Sequence, residues 1–322
     1  MNVIIASMEE NYGFGKFELT LDGKLKLKKI VQMPAQMYAC QNNDRLYFAL
    51  REPFGEAKSG VVSIGLSVEK PENDMTCCNG LIACHVSVSS DRKKLYTANY
   101  RSGEVSEFDL GEKGNIIALK KVVALPVSEG APHAHGVFIT PNGKELCVPD
   151  LGNDKVYFYS LTAEGIGKIN HCVQFPIGSA PRHVAFNQKK DITYVVAQNS
   201  CEVFALNKSN KIISSISTGA TQGSQASAIR ISLDNKNLYV SNRGANTISI
   251  INIEEEQMKL IGQVPCGLNP RDFIISADGK WLVLGNMDDD MVFVYSVNLK
   301  NGDLTYCSNY KFKKPISILF TK

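Results

Sequence analysis

Histidine and arginine side chains recur at matching positions of a pattern that runs through this sequence. Four arginines, three histidines and one amide occupy them: Arg51, Arg182, Arg243, Arg271, His85, His135, His183 and Gln198. A guanidinium group keeps its charge and binds carboxylate or phosphate through two hydrogen bonds. Imidazole titrates near neutrality and can accept a proton during catalysis. These residue types predict a site for a small anion, and a further histidine, His133, is expected to lie near His135.

Other interpretations of these residues stay open. A Pro-Arg pair, found at Arg182 and at Arg271, could brace neighbouring loops by donating to backbone carbonyls. The pair His133 and His135 could ligate a metal, but no carboxylate or cysteine has ligand spacing from it, so we expect no metal. The acidic run at 288–290 is interpreted as solvated turn charge, with calcium as the alternative.

Six copies of one pattern supply the strands that position these side chains. Each copy has an apolar strand, a polar turn and a second apolar strand, as in Pro132–Ile139, the turn TPNGK, and Leu146–Asp150. The first apolar residue of the second strand recurs at intervals of 49, 51, 47, 45 and 44 residues, at Leu46, Leu95, Leu146, Thr193, Leu238 and Leu282. A period of this length built from short strands is typical of a β-propeller with one four-stranded blade per repeat.

The two ends of the chain supply a seventh blade. Asn2–Ser7 resembles a second strand and Phe14–Leu19 a third, whereas Pro315–Phe320 resembles a first strand with nothing after it to pair with. Pairing of the terminal strands would fasten the ring and remove a free sheet edge. We therefore predict an all-β fold with little helix, a single seven-bladed propeller domain over residues 1–322.

Antiparallel pairing decides where the site lies. In each blade the start of the first strand and the end of the second lie on the same face, next to the central channel. The histidines, arginines and amide named above fall at these positions or within one residue of them. One mouth of the channel is therefore predicted to be cationic, with Asp272 as its one carboxylate.

Composition excludes several classes of protein. The chain is 44% apolar and 21% charged with a net charge of +3, and it has no apolar run typical of a membrane span or a secretion signal. Nine cysteines without a CxxC motif indicate a reduced, cytoplasmic protein. No nucleic-acid partner and no cofactor are expected, and the oligomeric state stays open. The GxSxG and GxxxxGKS/T motifs are absent, and the mouth has too few carboxylates for a glycosidase.

Several motifs together resemble those of the seven-bladed propeller lactonases. They are PHAHGVFITPNGK from Pro132, VPDLGNDKV from Val148, PRHVAF from Pro181, LYVSNRG from Leu238 and PRDF from Pro270. That family includes bacterial 6-phosphogluconolactonases and fungal carboxy-cis,cis-muconate cyclases. In the cyclase branch the resemblance implies a site at these positions: His135 or His133, Arg182, Gln198 and Arg243. Family members commonly have Asn-Glu where this chain has Ala197-Gln198.

The resemblance implies a cytoplasmic lactonase that opens a δ-lactone of a phosphorylated or carboxylated sugar. Water would attack the carbonyl directly, with His135 or His183 as general base and an arginine, Arg182 or Arg243, stabilising the oxyanion. The remaining candidates would contact the substrate: His133, His85, Gln198, Arg271 and Arg51. Because an amide cannot act as a general base, Gln198 leaves two alternatives open. One is a propeller that binds an anion without converting it, and the other is muconate-type cyclisation.

Overall fold

The computed structural model describes residues 1–67, 75–128, 130–255 and 257–321. These residues form seven four-stranded antiparallel sheets and the turns and loops that connect their strands. The chain is a seven-bladed β-propeller, as predicted, and its described part contains no helix. None of the described segments is therefore a helix of the length and apolarity needed to cross a membrane.

The strands follow one another in chain order within each blade. The closing blade and blades 1 to 3 contain β1 (Asn2–Ser7), β2 (Phe14–Leu19), β3 (Leu25–Val31), β4 (Gln36–Asn42), β5 (Arg45–Leu50), β6 (Lys58–Gly65), β7 (Thr76–Leu81), β8 (Ala83–Val88), β9 (Lys94–Asn99), β10 (Glu104–Leu110), β11 (Ile116–Ala124), β12 (Phe138–Ile139), β13 (Glu145–Asp150), β14 (Lys155–Thr162) and β15 (Gly165–Gln174). Blades 4 to 6 contain β16 (Pro181–Asn187), β17 (Ile192–Ala197), β18 (Glu202–Leu206), β19 (Ile212–Ser217), β20 (Gln225–Ile231), β21 (Asn237–Arg243), β22 (Thr247–Asn252), β23 (Lys259–Pro265), β24 (Pro270–Ile275), β25 (Trp281–Asn286), β26 (Met291–Val297) and β27 (Leu304–Lys311). The last strand, β28 (Pro315–Thr321), completes the closing blade.

The blades belong to two compact units. The three-blade unit, Met8–Phe14 with Val31–Pro181, contains blades 1 to 3. The four-blade unit, Met1–Ser7 with Gly15–Ile30 and Arg182–Lys322, contains blades 4 to 6 and most of the closing blade. That residues 1–322 form one domain stays a prediction.

Both ends of the chain contribute to the closing blade. β1 pairs antiparallel with β28, so that Val3 lies opposite Phe320 and Ile5 opposite Ile318. The apolar residues of β1 are fully buried, which stabilises a terminal strand that would otherwise fray. The predicted closure by the two termini is confirmed.

The predicted second strands are all present. Each begins one residue before the residue from which it was identified. These strands are buried on both faces. In the four-blade unit, for example, Tyr194 and Val196 of β17 share one apolar cluster with Leu238 and Val240 of β21. Burial of apolar surface between successive blades stabilises the repeat.

A repeated turn contact ties several blades to the loop that begins the next one. After the second strand a residue with positive φ presents a side-chain oxygen to a backbone N–H. The Asp154 side chain accepts the N–H of Ala180 (2.7 Å), that of Asn246 accepts the N–H of Asn269 (3.0 Å), and that of Asp290 accepts the N–H of Lys314 (3.0 Å). Asp290 is thus a brace in addition to a turn charge. In blade 4 this position is Cys201, whose Sγ contacts the carbonyl of Gln198 at 3.6 Å.

Blade 3 departs from the predicted pattern at its first strand. The sequence predicted a strand over Pro132–Ile139, but β12 spans only Phe138–Ile139. Ahead of it a single bridge joins Ala134 to Asp150. The residue opposite His135 is Pro149, which has no N–H to return to the ladder, so the ladder is interrupted there. Before the bridge, the Asp150 side chain accepts the His133 N–H.

Candidate functional site

Arg182 ties blade 4 to blade 5 in the four-blade unit. Its side chain is 3% exposed, and its Nη1 donates to the backbone carbonyl of Ser227 at 2.7 Å. Ser227 Oγ in turn donates to the carbonyl of Arg271 at 2.8 Å. The two hydrogen bonds hold the first strands of blades 4, 5 and 6 side by side. The bracing role that the sequence left open is therefore present at Arg182.

Gln198 and Arg243 lie beside this brace. Arg243, the last residue of β21, pairs with Gln225, and the next N–H, that of Ala226, donates to the Gln198 carbonyl at 2.9 Å. Burial raises the pKa of the nearby Cys201 thiol, and the charge of Arg243 opposes that shift. These hydrogen bonds link the strand ends of the four-blade unit that carry four predicted site residues: Arg182, Gln198, Arg243 and Arg271.

A surface cavity opens at Arg243. It has a volume of about 360 Å³, within the range of small-molecule sites. Its walls include Gln225, Asn246 and Asn269, which offer amide donors and acceptors, and the carboxylate of Asp288. The half-buried Arg243 contributes a positive charge to this cavity and Asp288 a negative one. A polar ligand fits this chemistry.

His183 is held against Arg182. The Nη1 atom of Arg182 lies 3.3 Å from Nδ1 and 3.2 Å from Nε2 of the imidazole ring. The guanidinium nitrogen is almost equidistant from the two ring nitrogens, and the contact holds the imidazole ring in place beside Arg182. His183 is only 2% exposed, however, which limits its access to a substrate.

Asp272, the one carboxylate expected at the mouth, is engaged in an ion pair. Its Oδ1 lies 2.8 Å from Arg230 Nη2, and its Oδ2 accepts the hydroxyl of Ser317 at 3.1 Å. The carboxylate joins β20, β24 and β28. Because a guanidinium and a hydroxyl group from two other strands engage this buried carboxylate, its geometry indicates a structural role.

The H-x-H histidines converge on Tyr100 in the three-blade unit. The ring of His133 stacks on that of Tyr100 with 4.7 Å between centroids, and its Nδ1 lies 3.0 Å from the Tyr100 carbonyl. A carbonyl only accepts, so Nδ1 carries a proton and donates to it. His135 meets the same tyrosine edge-on at 5.4 Å. The predicted proximity of the two histidines is therefore present.

His85 and Arg51 have other surroundings. His85 is 2% exposed and lies between Tyr38 and Phe138, with ring centroids 4.0 and 4.4 Å away, as is typical of a core residue. Arg51 Nε lies 3.2 Å from Oε1 of its neighbour Glu52, and both side chains are partly exposed. Such surface ion pairs contribute little to stability. Substrate binding by His85 and Arg51 stays a prediction.

Asp150 was not identified from the sequence. It is fully buried, and its carboxylate accepts the N–H groups of His133 (2.8 Å) and Gly152 (3.1 Å) and the amide of Asn153 (2.9 Å). The sequence feature that could have identified Asp150 is a carboxylate at the last position of the second strand. Blades 2, 5 and 6 have a neutral amide there: Asn99, Asn242 and Asn286.

The acidic run at 288–290 is tied to the backbone. Asp289 Oδ2 accepts the N–H of Leu268 at 3.0 Å, and burial raises the pKa of the Asp289 carboxyl. Within the described part of the chain no three His, Cys, Asp or Glu side chains are grouped so that they could hold a metal ion.

The chain is similar to known proteins over almost its whole length. The model of the family described as Lactonase, 7-bladed beta-propeller matches residues 4–320. A Bacillus subtilis protein named 6-phosphogluconolactonase is 28% identical over an alignment of 341 positions, which covers 96% of this chain and 94% of that protein. Among solved structures, the periplasmic gluconolactonase of Pseudomonas aeruginosa has a TM-score of 0.92 at 20% identity and covers 100% and 99% of the two chains. A Lactobacillus plantarum protein has a TM-score of 0.91 at 22% identity with full coverage of both chains. These structures share the fold, and the family match shows that this chain belongs to the seven-bladed β-propeller lactonases.

Proposed function

We propose that this protein hydrolyses the ring ester of a sugar lactone that carries a phosphate or carboxylate group. The observation that carries the proposal is the set of hydrogen bonds that links the strand ends of the four-blade unit carrying Arg182, Gln198, Arg243 and Arg271. Arg243 and Arg271 are half-buried, and a guanidinium group binds carboxylate or phosphate through charged hydrogen bonds. The Bacillus subtilis relative named 6-phosphogluconolactonase supports a phosphorylated sugar δ-lactone as the substrate.

Hydrolysis of a lactone proceeds through a tetrahedral intermediate. Water attacks the ring carbonyl and gives a proton to a base, and negative charge develops on the carbonyl oxygen. The intermediate then breaks the ring C–O bond, and the departing oxygen takes up the proton as a hydroxyl group. In our proposal His135 or His183 is the base, Arg182 stabilises the oxyanion, and Arg243 with Arg271 holds the anionic group.

The three-blade unit contains the alternative base. His135, which the sequence favoured equally with His183, contacts Tyr100 beside His133. Separate replacement of His135 and His183 by Gln distinguishes them, since Gln keeps a hydrogen-bonding group but cannot accept a proton from water. The base is the histidine whose replacement lowers kcat and abolishes the acid limb of the pH profile.

A non-catalytic anion-binding propeller is the second candidate. Two observations favour it: the amide of Gln198 replaces the acid common in the family, and the Nη1 of Arg182 already donates to Ser227. An amide can both donate and accept, so Gln198 suits the hydroxyl groups of a sugar. Binding of 6-phosphogluconate without turnover of its lactone would identify this function.

The substrate assay compares freshly prepared 6-phosphogluconolactone with glucono-δ-lactone. Arg243→Ala and Arg271→Ala should raise KM for the phosphorylated lactone by about tenfold or more, because each removes a charged hydrogen bond. The matched control is Lys208→Ala, which removes a well-exposed cation of the same unit. Equal loss on both lactones, or equal loss in the control, would remove the support for anion recognition by these arginines.

A further inference from the structure

The histidine segment of blade 3 is held differently from the corresponding segments of other blades. The first strands of blades 1, 2, 4, 5 and 6 span six or seven residues, whereas β12 spans two. His133 and His135 precede it. Two backbone hydrogen bonds flank the single bridge there: His135 N–H to Pro149 O at 2.9 Å, and Leu151 N–H to His133 O at 3.0 Å. The backbone of the two histidines is therefore held by these two hydrogen bonds and not by a continuous β-ladder.

The carboxylate of Asp150 supplies the missing attachment. It accepts one N–H from the histidine segment, that of His133, and two donors from its own turn, Gly152 and Asn153. A charged acceptor forms shorter and stronger hydrogen bonds than an amide oxygen. The side chain thereby joins the end of β13 to the segment that bears both histidines.

The propeller fold does not require a charge at this position. Blades 2, 5 and 6 have asparagine there, and burial of a carboxylate costs free energy unless donors surround it. The chain also passes very close to the histidine segment at Gly152. A Cβ atom on Gly152 would lie 2.0 Å from the carbonyl oxygen of Ala131 and 2.9 Å from Cδ2 of His133. The buried carboxylate of Asp150 and the close approach at Gly152 both act on the segment that bears His133 and His135.

We propose that Asp150 is a positioning residue, which fixes the backbone of His133–Ala134–His135 so that both rings stay against Tyr100 for the reaction. The proposal rests on the lactonase function proposed above. It assigns Asp150 no contact with the substrate: its carboxylate acts through the histidine segment.

The chain offers a reciprocal exchange as the test. In Asp150→Asn the new Nδ2 faces Nδ2 of Asn153, donor against donor. The remaining Oδ1 is a neutral acceptor, which binds the His133 and Gly152 N–H groups more weakly than the carboxylate does. Hydrogen exchange at the His133 amide should accelerate by roughly tenfold to a hundredfold, and kcat should fall by about tenfold with little change in KM. The double variant Asp150→Asn/Asn153→Asp restores one donor and one acceptor, and both quantities should recover to within about threefold of the wild type.

The matched control is Glu107→Gln, which neutralises another fully buried carboxylate of the same unit. It should lower stability but leave His133 exchange and kcat unchanged.

If Asp150→Asn fails to fold, Gly152→Ala displaces the same segment and should produce the same two changes. Wild-type exchange and kcat in the Asp150→Asn variant, or equal effects in the control, would overturn the proposal. An inactive wild-type protein would refute the lactonase function, whereas the exchange comparison would still decide whether Asp150 fixes the segment.

Discussion

Replacement of Arg182 by Ala separates the bracing role of this residue from its proposed catalytic role. In the wild type the buried Nη1 donates to the Ser227 carbonyl at 2.7 Å. Its loss leaves that carbonyl without this donor, which costs about 1–3 kcal/mol of unfolding free energy. The midpoint temperature of unfolding should fall by several degrees. If Arg182 also stabilises the oxyanion, kcat should fall by about 10²–10³.

The assay measures kcat on the folded fraction at a temperature well below the unfolding transition. Ser227→Ala is the matched control, because it keeps the carbonyl that accepts from Arg182 and removes only the hydroxyl bonded to Arg271. It should lower stability slightly and leave the oxyanion donor in place. A destabilised Arg182→Ala variant with wild-type kcat would show that Arg182 is a brace alone, and an unchanged midpoint temperature would contradict the bracing role.

Three further changes test the structural account. Gly165→Ala should destabilise the protein by about 3–5 kcal/mol in chemical denaturation, because φ is +111° and the new Cβ would lie 1.9 Å from Oε1 of the buried Glu107. A decrease of less than about 1 kcal/mol in the free energy of unfolding would contradict this. Tyr239→Phe removes the hydroxyl that donates to the Gly302 carbonyl at 2.8 Å and should cost about 1 kcal/mol, with unchanged stability as the contrary result. Because burial raises the pKa of Asp289, its neutral form favours the fold, and that contribution is lost as pH rises through the folded pKa. Asp289→Asn should therefore gain stability relative to the wild type as pH rises from 4 to 7, and a constant difference would refute the assignment.

The propeller could be predicted because its signal is repeated. An apolar strand, a polar turn and a second apolar strand recur six times, so the repeat interval constrains the predicted strand positions in each copy. The second strands accordingly begin within one residue of the predicted positions. The closing blade followed from the unpaired strands at the two ends of the chain.

The first strand of blade 3 is shorter than predicted, although its apolar pattern matches that of other blades. What differs lies in the facing strand: Pro149 has no N–H to donate to the ladder, and the Asp150 side chain accepts the His133 N–H. Sequence spacing likewise placed Arg182 and His183 at the site but not their partners. Only the structure shows that Arg182 donates to Ser227 and that His183 meets the guanidinium. A cytoplasmic location and the role of each site residue stay predictions.

The most direct test of the central claim is acid release from freshly generated 6-phosphogluconolactone, followed against the spontaneous rate at several concentrations of the protein. We predict a rate that rises in proportion to protein concentration, saturates with substrate and exceeds the rate on glucono-δ-lactone. A rate equal to the spontaneous background at every protein concentration, with 6-phosphogluconate still bound, would contradict the lactonase function and leave an anion-binding propeller.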